Sequence, residues 1–346
     1  MKKISFDKIS LNENSKPFIV AEIGINFNGD LDLAKKTILE AKKSGADSVK
    51  FQYYKTEDFI SNKKIKIKYQ NKSLTQYHLF KKNEINLNQL YDLKKFSDKN
   101  KIHFHATPTS EKGINELEEI GINLIKNGSD FLTNTKILKC LSKKKLPVIL
   151  STGMSTFKEI EYALSFFKSY KKNNLILLHC VSNYPSKINE ANVLRINSIK
   201  KKFKTLIGYS DHTLGKESAI IARVYGSIWF EKHFTLSKNL KGPDHHFSSD
   251  PKGFKEYCLD IRNVTKIIGT GDINFSKNEK SAKKNYGISC VAKKDLEIGT
   301  KLLNSDIDFK RPGYGFKPYE IKKILNKKLK KKIKKDQIIT LGHFKK

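Results

Sequence analysis

Between Phe18 and about Ile268 the chain repeats one unit: a short run rich in Val, Ile and Phe, then a segment whose apolar residues recur three and four positions apart. The first composition marks strands and the second period marks amphipathic helices. Strand candidates fall at 17–24 (PFIVAEIG), 48–53 (SVKFQY), 102–107 (IHFHAT), 123–128 (NLIKNG), 147–153 (PVILSTG), 175–182 (LILLHCVS), 205–210 (TLIGYS) and 227–234 (SIWFEKHF). Helical period is clear over Leu31–Ser44, Asn88–Lys99, Thr156–Tyr170 and Leu214–Tyr225. Eight such units predict a closed (β/α)8 TIM barrel, and the lack of a GxGxxG or Walker-type glycine loop disfavours an open doubly wound sheet. One connection, residues 54–85, is long, polar and rich in Lys and Asn, so on a barrel it lies over the catalytic face as a lid or dimer contact.

After Gly269 this rhythm stops. Residues 270–285 are polar and lysine-rich, which predicts a linker between a barrel domain over 1–269 and a second domain over 286–346. The run GISCVAKKDLEIGTKLLNSDIDFKRPGYG has short strand patterns and turns at Gly299 and Pro312-Gly313, as expected of a small β-rich module. The length of 346 residues suits a barrel of roughly 250 residues plus such a module.

The net charge of +33 invites a nucleic-acid reading. Yet of 68 basic residues only Arg195, Arg223, Arg262 and Arg311 are arginine, and the lysines are spread over nearly every helix and loop. Specific readers of nucleic acid concentrate charge and use the arginine fork, so no specific nucleic-acid partner is expected. Cys140, Cys180, Cys258 and Cys290 form no CxxC pair and read as reduced thiols rather than a zinc knuckle or disulfide framework. No apolar run approaches the roughly 18 residues of a membrane span, and Met1-Lys2-Lys3 opens no signal-peptide pattern, so a soluble cytoplasmic protein without membrane partners is expected.

A parallel barrel builds its active site where the strands end. The polar residues there are Glu22 on the first strand, Lys50 and Gln52 on the second, Lys126 and Ser129 on the fourth, Ser151 on the fifth, Ser182 and Asn183 on the sixth, Ser210 and His212 on the seventh, and His233 on the eighth. Two lysines, several hydroxyls and a carboxylate are what a small phosphorylated anion requires: charge neutralisation plus short directional hydrogen bonds. His212 and His233 are 21 residues apart, the span of one strand–helix–strand unit. Neighbouring strands then aim both imidazoles at one point, where Mn2+, Mg2+ or Zn2+ with open positions acts as a Lewis acid. The opposing reading is that a strand histidine is a hydrogen-bonded core residue, which is the assignment for His103, His105 and His179. KGPDHHFSSD, after the eighth strand, gathers Asp244, His245 and His246 and reads either as a further acid or substrate contact or as an ordinary turn.

VAEIGINFNGD with VKFQ, LHCVSNYP, GYSDHTLG, EKHFT followed by KGPDHHFS, and the late KRPGYG together resemble the sialic acid synthase family, which includes N-acetylneuraminate, legionaminate and pseudaminate synthases. The motifs occur in that family's order and span nearly the whole chain. The resemblance implies a barrel with a C-terminal antifreeze-like (SAF, β-clip) domain, a domain-swapped homodimer, and condensation of phosphoenolpyruvate with an N-acyl amino-sugar aldehyde. It implies His212 and His233 as ligands of a divalent metal, Mn2+ first, with Mg2+ or Co2+ as alternatives. Lys50, Lys126, Ser129, Ser151, Ser182, Asn183 and Ser210 correspond to phosphoenolpyruvate contacts, and Glu22 to the carboxylate that handles the attacking water. Gln52, Tyr184 and Asp244 match positions facing the sugar, and Arg311 matches the SAF-domain arginine that reaches into the partner's barrel.

One position departs from the family. Where relatives carry an acid two residues after the serine matching Ser129, this chain has Phe131, with Asp130 beside it. Asp130 takes over the sugar contact, or the sugar lacks the hydroxyl that the acid reads. The sugar therefore stays open among N-acetylmannosamine, its 6-phosphate and a diacetamido-dideoxy hexose. The alternatives are another phosphoenolpyruvate-condensing barrel acting on a sugar phosphate, against which the C-terminal module argues, and a non-catalytic sugar- or polyanion-binding barrel.

Overall fold

The computed structural model describes residues 2–69, 72–167 and 174–345. They form two compact units, Met1–Gly269 and Thr270–Lys346.

The first unit is a closed eight-stranded parallel barrel. Its strands are β1 (Phe18–Gly24), β2 (Ser48–Tyr53), β3 (His103–Pro108), β4 (Ile125–Asn127), β5 (Val148–Ser151), β6 (Leu175–Cys180), β7 (Leu206–Asp211) and β8 (Trp229–His233). The barrel closes where β8 pairs with β1, Trp229 opposite Phe18 and His233 opposite Glu22. Each strand is followed by a helix: α1 (Leu31–Lys43), α2 (Leu87–Lys99), α3 (Glu111–Glu119), α4 (Thr135–Lys143), α5 (Phe157–Ser165), α6 (Arg195–Phe203), α7 (Glu217–Val224) and α8 (Pro251–Ile268). Local sequence sets their starts. Asp30 accepts from the Asp32 and Leu33 amides to cap α1, while Asn86 with Gln89 and Thr156 with Glu159 form capping boxes on α2 and α5. Helix α1 turns Ala34, Thr37, Ile38 and Ala41 inward, one face of a 3.6-residue period.

Two helices are shorter than their apolar period predicts. Over 214–225 the helix begins only at Glu217, because Lys232 draws the Thr213 and Gly215 carbonyls to its ammonium and Asp211 holds the Thr213 amide. Over 156–170 it ends at Ser165, and residues 168–170 of that span lie outside the described residues.

The N-terminal residues, which carry no βα pattern, form a hairpin of Lys3–Phe6 and Ile9–Asn12. Its Ile4, Phe6 and Leu11 join Phe18, Val20, Leu124, Ile149, Ile176, Leu178, Leu206, Ile228 and Trp229 in a separate apolar cluster that closes one end of the barrel. Phe18 stacks on Trp229 at 4.6 Å between ring centroids, and Phe6 meets Phe18 edge-on at 5.6 Å. Gly208 makes room for that indole: a Cβ there would lie 2.5 Å from Leu178 Cδ2 and 2.8 Å from Trp229 Cβ. The three histidines expected in the core are hydrogen-bonded. Ser48 Oγ sits between His103 Nδ1 (3.0 Å) and His105 Nδ1 (2.9 Å), and His179 Nε2 faces the Ala191 carbonyl at 2.8 Å.

The 54–85 connection is structured: Thr56–Phe59 and Gln76–Lys82 are helical and flank a hairpin of Lys66–Tyr69 and Lys72–Thr75. In the second unit, the span predicted as a linker contains α9 (Lys277–Tyr286), capped by Ser276 with Glu279 and burying no residue. The module beyond it pairs β9 (Ser289–Ala292) with β10 (Ile307–Lys310) antiparallel over a small core of Cys290, Leu296, Leu302, Ile324, Leu329, Ile333 and Ile339. Among the described residues no helix is long and apolar enough to cross a membrane.

Candidate active site

At the carboxyl ends of the barrel strands lies a cavity of about 440 Å3, a volume ordinary for a small-molecule site. Its floor is ionic. Glu231, on β8 and fully buried, accepts from Lys50 Nζ (2.9 Å), Lys126 Nζ (2.7 Å) and Ser210 Oγ (3.2 Å), all on one oxygen, while its other oxygen accepts from the Trp229 indole (3.2 Å). Lys50 also meets Glu22 at 2.8 Å, although among the described residues neither Glu22 oxygen has a well-aligned hydrogen-bond donor. Two carboxylates thus face two ammoniums in a dry barrel, where unpaired charge would be costly.

Burial works against ionisation of Glu231, but the two lysines outweigh it and hold its carboxyl well below the usual range. Burial pushes Lys50 below the lysine range against the pull of Glu231, whereas on Lys126 burial is outweighed by the carboxylate, which favours the ammonium.

Beside this floor Ser129 Oγ accepts the Gly153 amide at 3.0 Å and touches Cys180 Sγ at 3.1 Å. A Cβ on Gly153 would lie 2.4 Å from Ser182 Oγ, 2.7 Å from Cys180 Sγ and 2.8 Å from Ser129 Oγ, so only glycine lets these groups converge. The Ser151 hydroxyl is buried at the same place without a partner among the described residues. A cluster of hydroxyls next to two ammoniums is a cradle for an oxyanion.

His212 and His233 stand above it, ring centroids 5.7 Å apart, with Tyr184 4.2 Å from the first ring and Phe247 5.1 Å from the second. His212 Nδ1 lies 2.6 Å from the Val181 carbonyl, which can only accept, so that nitrogen carries the proton and Nε2 keeps its lone pair. Burial lowers His212 to about 4 and takes His233 well below its ordinary value, helped by His212 and the lysines, so both rings are neutral near pH 7. His233 Nδ1 is buried without a hydrogen bond among the described residues, and Asp244 Oδ2 lies 3.8 Å from it. Neutral imidazoles with lone pairs to give, one of them oriented by a carbonyl, fit a divalent cation. Among the described residues no three His, Cys, Asp or Glu side chains cluster tightly enough to enclose a metal alone. Such an ion would depend on these two rings plus substrate or water oxygens.

Of the residues read from the sequence, Glu22, Lys50, Gln52, Lys126, Ser129, Asp130, Ser151, Ser182, Tyr184, Ser210, His212, His233 and Asp244 all line the cavity, as does Phe131. Two do not. Strand β6 ends at Cys180, so Asn183 lies on the following loop, where its exposed amide points to Glu190 at 3.5 Å. Arg311 belongs to the second unit, exposed, its guanidinium 5.8 Å from the Tyr286 ring centroid. In the KGPDHHFSSD loop only Asp244 faces the cavity; His245 is fixed by Thr235 Oγ1 (2.7 Å) and Asn28 Nδ2 (3.2 Å), and His246 is exposed.

Sequence reasoning missed Glu231, the hub of the floor, although Trp229, Glu231 and His233 alternate on one face of a strand and so point into the barrel together. It also missed Cys180 and the aromatic residues Tyr54, Phe59 and Phe80, which line the cavity from the 54–85 connection.

A (β/α)8 barrel whose strand ends hold paired lysines, a hydroxyl cradle and two neutral imidazoles is a scaffold for chemistry on a small anionic substrate. The chain belongs to the NeuB family: that family's model matches residues 37–273, and the SAF domain model matches residues 289–345. It is 39% identical to the N,N'-diacetyllegionaminic acid synthase of Campylobacter jejuni, over 94% of this chain and 99% of that one. It is 32% identical to the pseudaminic acid synthase of Helicobacter pylori, over 92% and 95%. The crystal structure of N-acetylneuraminic acid (sialic acid) synthetase from Leptospira borgpetersenii, in complex with citrate, superposes with a TM-score of 0.74 at 35% identity, covering 81% of this chain and 95% of that one. With such relatives the chain is a transferase of the sialic acid synthase type.

Proposed function

We propose that this chain condenses phosphoenolpyruvate with an N-acyl amino-sugar aldehyde and water, giving a nine-carbon nonulosonic acid and phosphate. The observation that carries this reading is the Lys50–Glu231–Lys126 floor beside the Gly153–Ser129–Ser182 cradle, since a phosphate and a carboxylate on one small molecule need paired cations and converging hydroxyls.

In this reading Lys126 and Lys50 take the phosphate and carboxylate of phosphoenolpyruvate, and Ser129, Ser151, Ser182 and Ser210 complete their hydrogen bonds. His212 and His233 hold a divalent ion, Mn2+ first and Mg2+ or Co2+ as alternatives. When bound, that ion supplies Lewis-acid polarisation of the aldehyde oxygen. Gln52, Asp130, Tyr184 and Asp244 face the sugar and hold its aldehyde carbon against C3 of phosphoenolpyruvate, where the new C–C bond forms. As C2 becomes electron-poor, Glu22 orients a water toward it and takes the proton. The tetrahedral centre then collapses by C–O cleavage, and Lys126 stabilises the departing phosphate.

The test is phosphate release from phosphoenolpyruvate with Mn2+ and a panel of N-acetylmannosamine, its 6-phosphate and diacetamido-dideoxy hexoses. Sugar-dependent release with a nonulosonic acid as co-product is expected; no release with any member of the panel rejects the reading. The working form we propose is a domain-swapped homodimer in the cytoplasm, Arg311 of one chain completing the sugar site of the other. Supporting it, Arg311 is exposed and has no carboxylate within 4.0 Å among the described residues. Mixed dimers of Arg311→Ala and His212→Ala chains should recover part of the activity; verified heterodimers without recovery would exclude a shared site.

A further inference from the structure

Strands β7 and β8 each carry a buried charge immediately before the histidine that faces the cavity: Asp211 before His212 and Lys232 before His233, 1% and 3% exposed. The two are direct partners on the last rung of the ladder between those strands. The imidazoles therefore stand one residue beyond the point where, among the described residues, backbone pairing of β7 with β8 ends. Alternation along the strands turns Asp211 and Lys232 to the opposite face from the histidines, toward α8. There Lys232 Nζ meets Asp211 Oδ2 at 2.9 Å, the Thr213 carbonyl at 2.5 Å and the Gly215 carbonyl at 2.7 Å, one acceptor for each of its three protons. The Tyr257 ring of α8 lies 5.2 Å from the same ammonium. Asp211 Oδ1 accepts from the Thr213 amide (2.9 Å), the Thr213 hydroxyl (2.7 Å) and the Ser218 hydroxyl (3.3 Å). One ammonium on β8 thus grips both the end of β7 and the turn that follows His212. Lys232 borders the cavity, but with its protons used it acts on the site through the strands and not by touching substrate.

We infer that Asp211 and Lys232 are positioning residues for the divalent ion: their pair fixes the separation and direction of the two imidazoles and thereby sets the affinity for metal. The inference rests on the proposed metal site. Beyond packing on Tyr184 and Phe247, the rings themselves are lightly tethered. Among the described residues His233 Nδ1 has no hydrogen bond, and His212 has the Val181 carbonyl and a long contact with Ser210. The place of each ring therefore follows from the backbone that carries it, and the last tie between those two backbones is the Asp211–Lys232 pair. Glu231, one residue before Lys232, does not share this dependence, because Lys50, Lys126, Ser210 and Trp229 hold it directly. A buried ion pair contributes little net stability compared with an apolar pair of similar volume, so the gain from this one lies in the geometry that its directional bonds impose.

The experiment titrates Mn2+ alone into metal-stripped full-length protein and reads the electron paramagnetic resonance signal of the free ion. Wild type should show a site that His212→Ala abolishes. Asp211→Asn combined with Lys232→Met removes both charges while keeping their approximate shape and an acceptor for Thr213 and Ser218. Its dissociation constant for Mn2+ should rise about 10- to 100-fold, the range for groups that orient metal ligands from behind. Thermal unfolding should stay near wild type, since no buried charge is left unpaired. Turnover at limiting Mn2+ should fall and recover at saturating Mn2+, with KM for phosphoenolpyruvate within about twofold of wild type. Asp211→Asn alone, which weakens the ammonium contact without removing the ammonium, should move the Mn2+ affinity the same way by a smaller factor. Unchanged Mn2+ affinity in both variants overturns the positioning role and leaves the metal site standing. A loss of affinity that comes with early unfolding and is not relieved by excess Mn2+ overturns it too, because the pair would then be a prop of the fold. Absence of a His212-dependent site in wild type overturns the metal reading and this inference together.

Discussion

The two ends of the barrel solve opposite problems with the same strands. At the closed end the N-terminal hairpin lays Ile4, Phe6 and Leu11 against Phe18 and Trp229, and stability there comes from area removed from water. At the open end Glu22, Lys50, Lys126 and Glu231 are as dry as the apolar plug, yet they are held by one another. Strand β8 serves both: Trp229 packs into the plug, Glu231 collects the lysines, and His233 reaches the cavity. The indole N–H of Trp229 donates to Glu231, so the apolar end directly orients the hub of the ionic one. Buried charge pairs add little net stability, so the open end is shaped for chemistry and depends on the closed end for its rigidity.

The sharpest way to separate the ends is to remove a group that matters at only one. His212→Ala takes away an imidazole whose hydrogen bonding among the described residues is limited to the Val181 carbonyl at 2.6 Å and a long 3.4 Å contact with Ser210. Unfolding free energy should change by no more than about 1 kcal/mol, while turnover in the phosphate-release assay should drop by at least about 1,000-fold, or roughly 4 kcal/mol. Undiminished activity in stringently metal-free buffer would remove His212 from the metal site.

The opposite break comes next in size. Trp229→Ala empties the centre of the plug and should cost about 3–5 kcal/mol in urea unfolding. Because it also strips a donor from Glu231, the surviving folded fraction should bind phosphoenolpyruvate more weakly. If the variant unfolds early yet keeps wild-type KM for phosphoenolpyruvate, the two ends are not coupled through the indole.

The barrel was legible because its signal is repeated eight times, and a period tolerates local noise. The site was less so. Strand-end polarity located most of the lining residues, since a polar side chain at such an end has few other places to go. Glu231 escaped because it stands in the middle of SIWFEKHF, where an acid between aromatics reads as one residue rather than as a member of an inward-facing row. Asn183 stands on the loop after β6, which stops at Cys180, and there it points to Glu190 while its neighbours Ser182 and Tyr184 line the cavity. The aromatic lining was hidden by averaging: residues 54–85 are polar in sum, yet Tyr54, Phe59 and Phe80 meet only in three dimensions. The hairpin at 3–12 and the helix α9 were within reach, the first through its alternating KISF and ISLN, the second through the Ser276–Glu279 capping box.

The smallest effect probes the rim of the closed end. His103 is nearly enclosed beneath the hairpin, and Asp7, about half exposed, approaches its Nε2 at 3.3 Å. Burial holds the His103 pKa below its ordinary 6.5, and Asp7 works against that shift. A histidine with a lowered folded-state pKa binds fewer protons when folded than when unfolded. Its contribution is therefore intact above about pH 6.5, and stability falls as pH drops from there toward the folded value. Asp7→Asn removes the group that eases protonation, so it should leave unfolding at pH 8 nearly unchanged and deepen the acid-side loss, by at most about 1 kcal/mol for so exposed a carboxylate. Urea unfolding at pH 8 and pH 5.5 reads the difference, and turnover at pH 8 should not move. A larger loss at pH 8 than at pH 5.5 would mean that Asp7 acts by shaping the hairpin turn and not through the charge of His103.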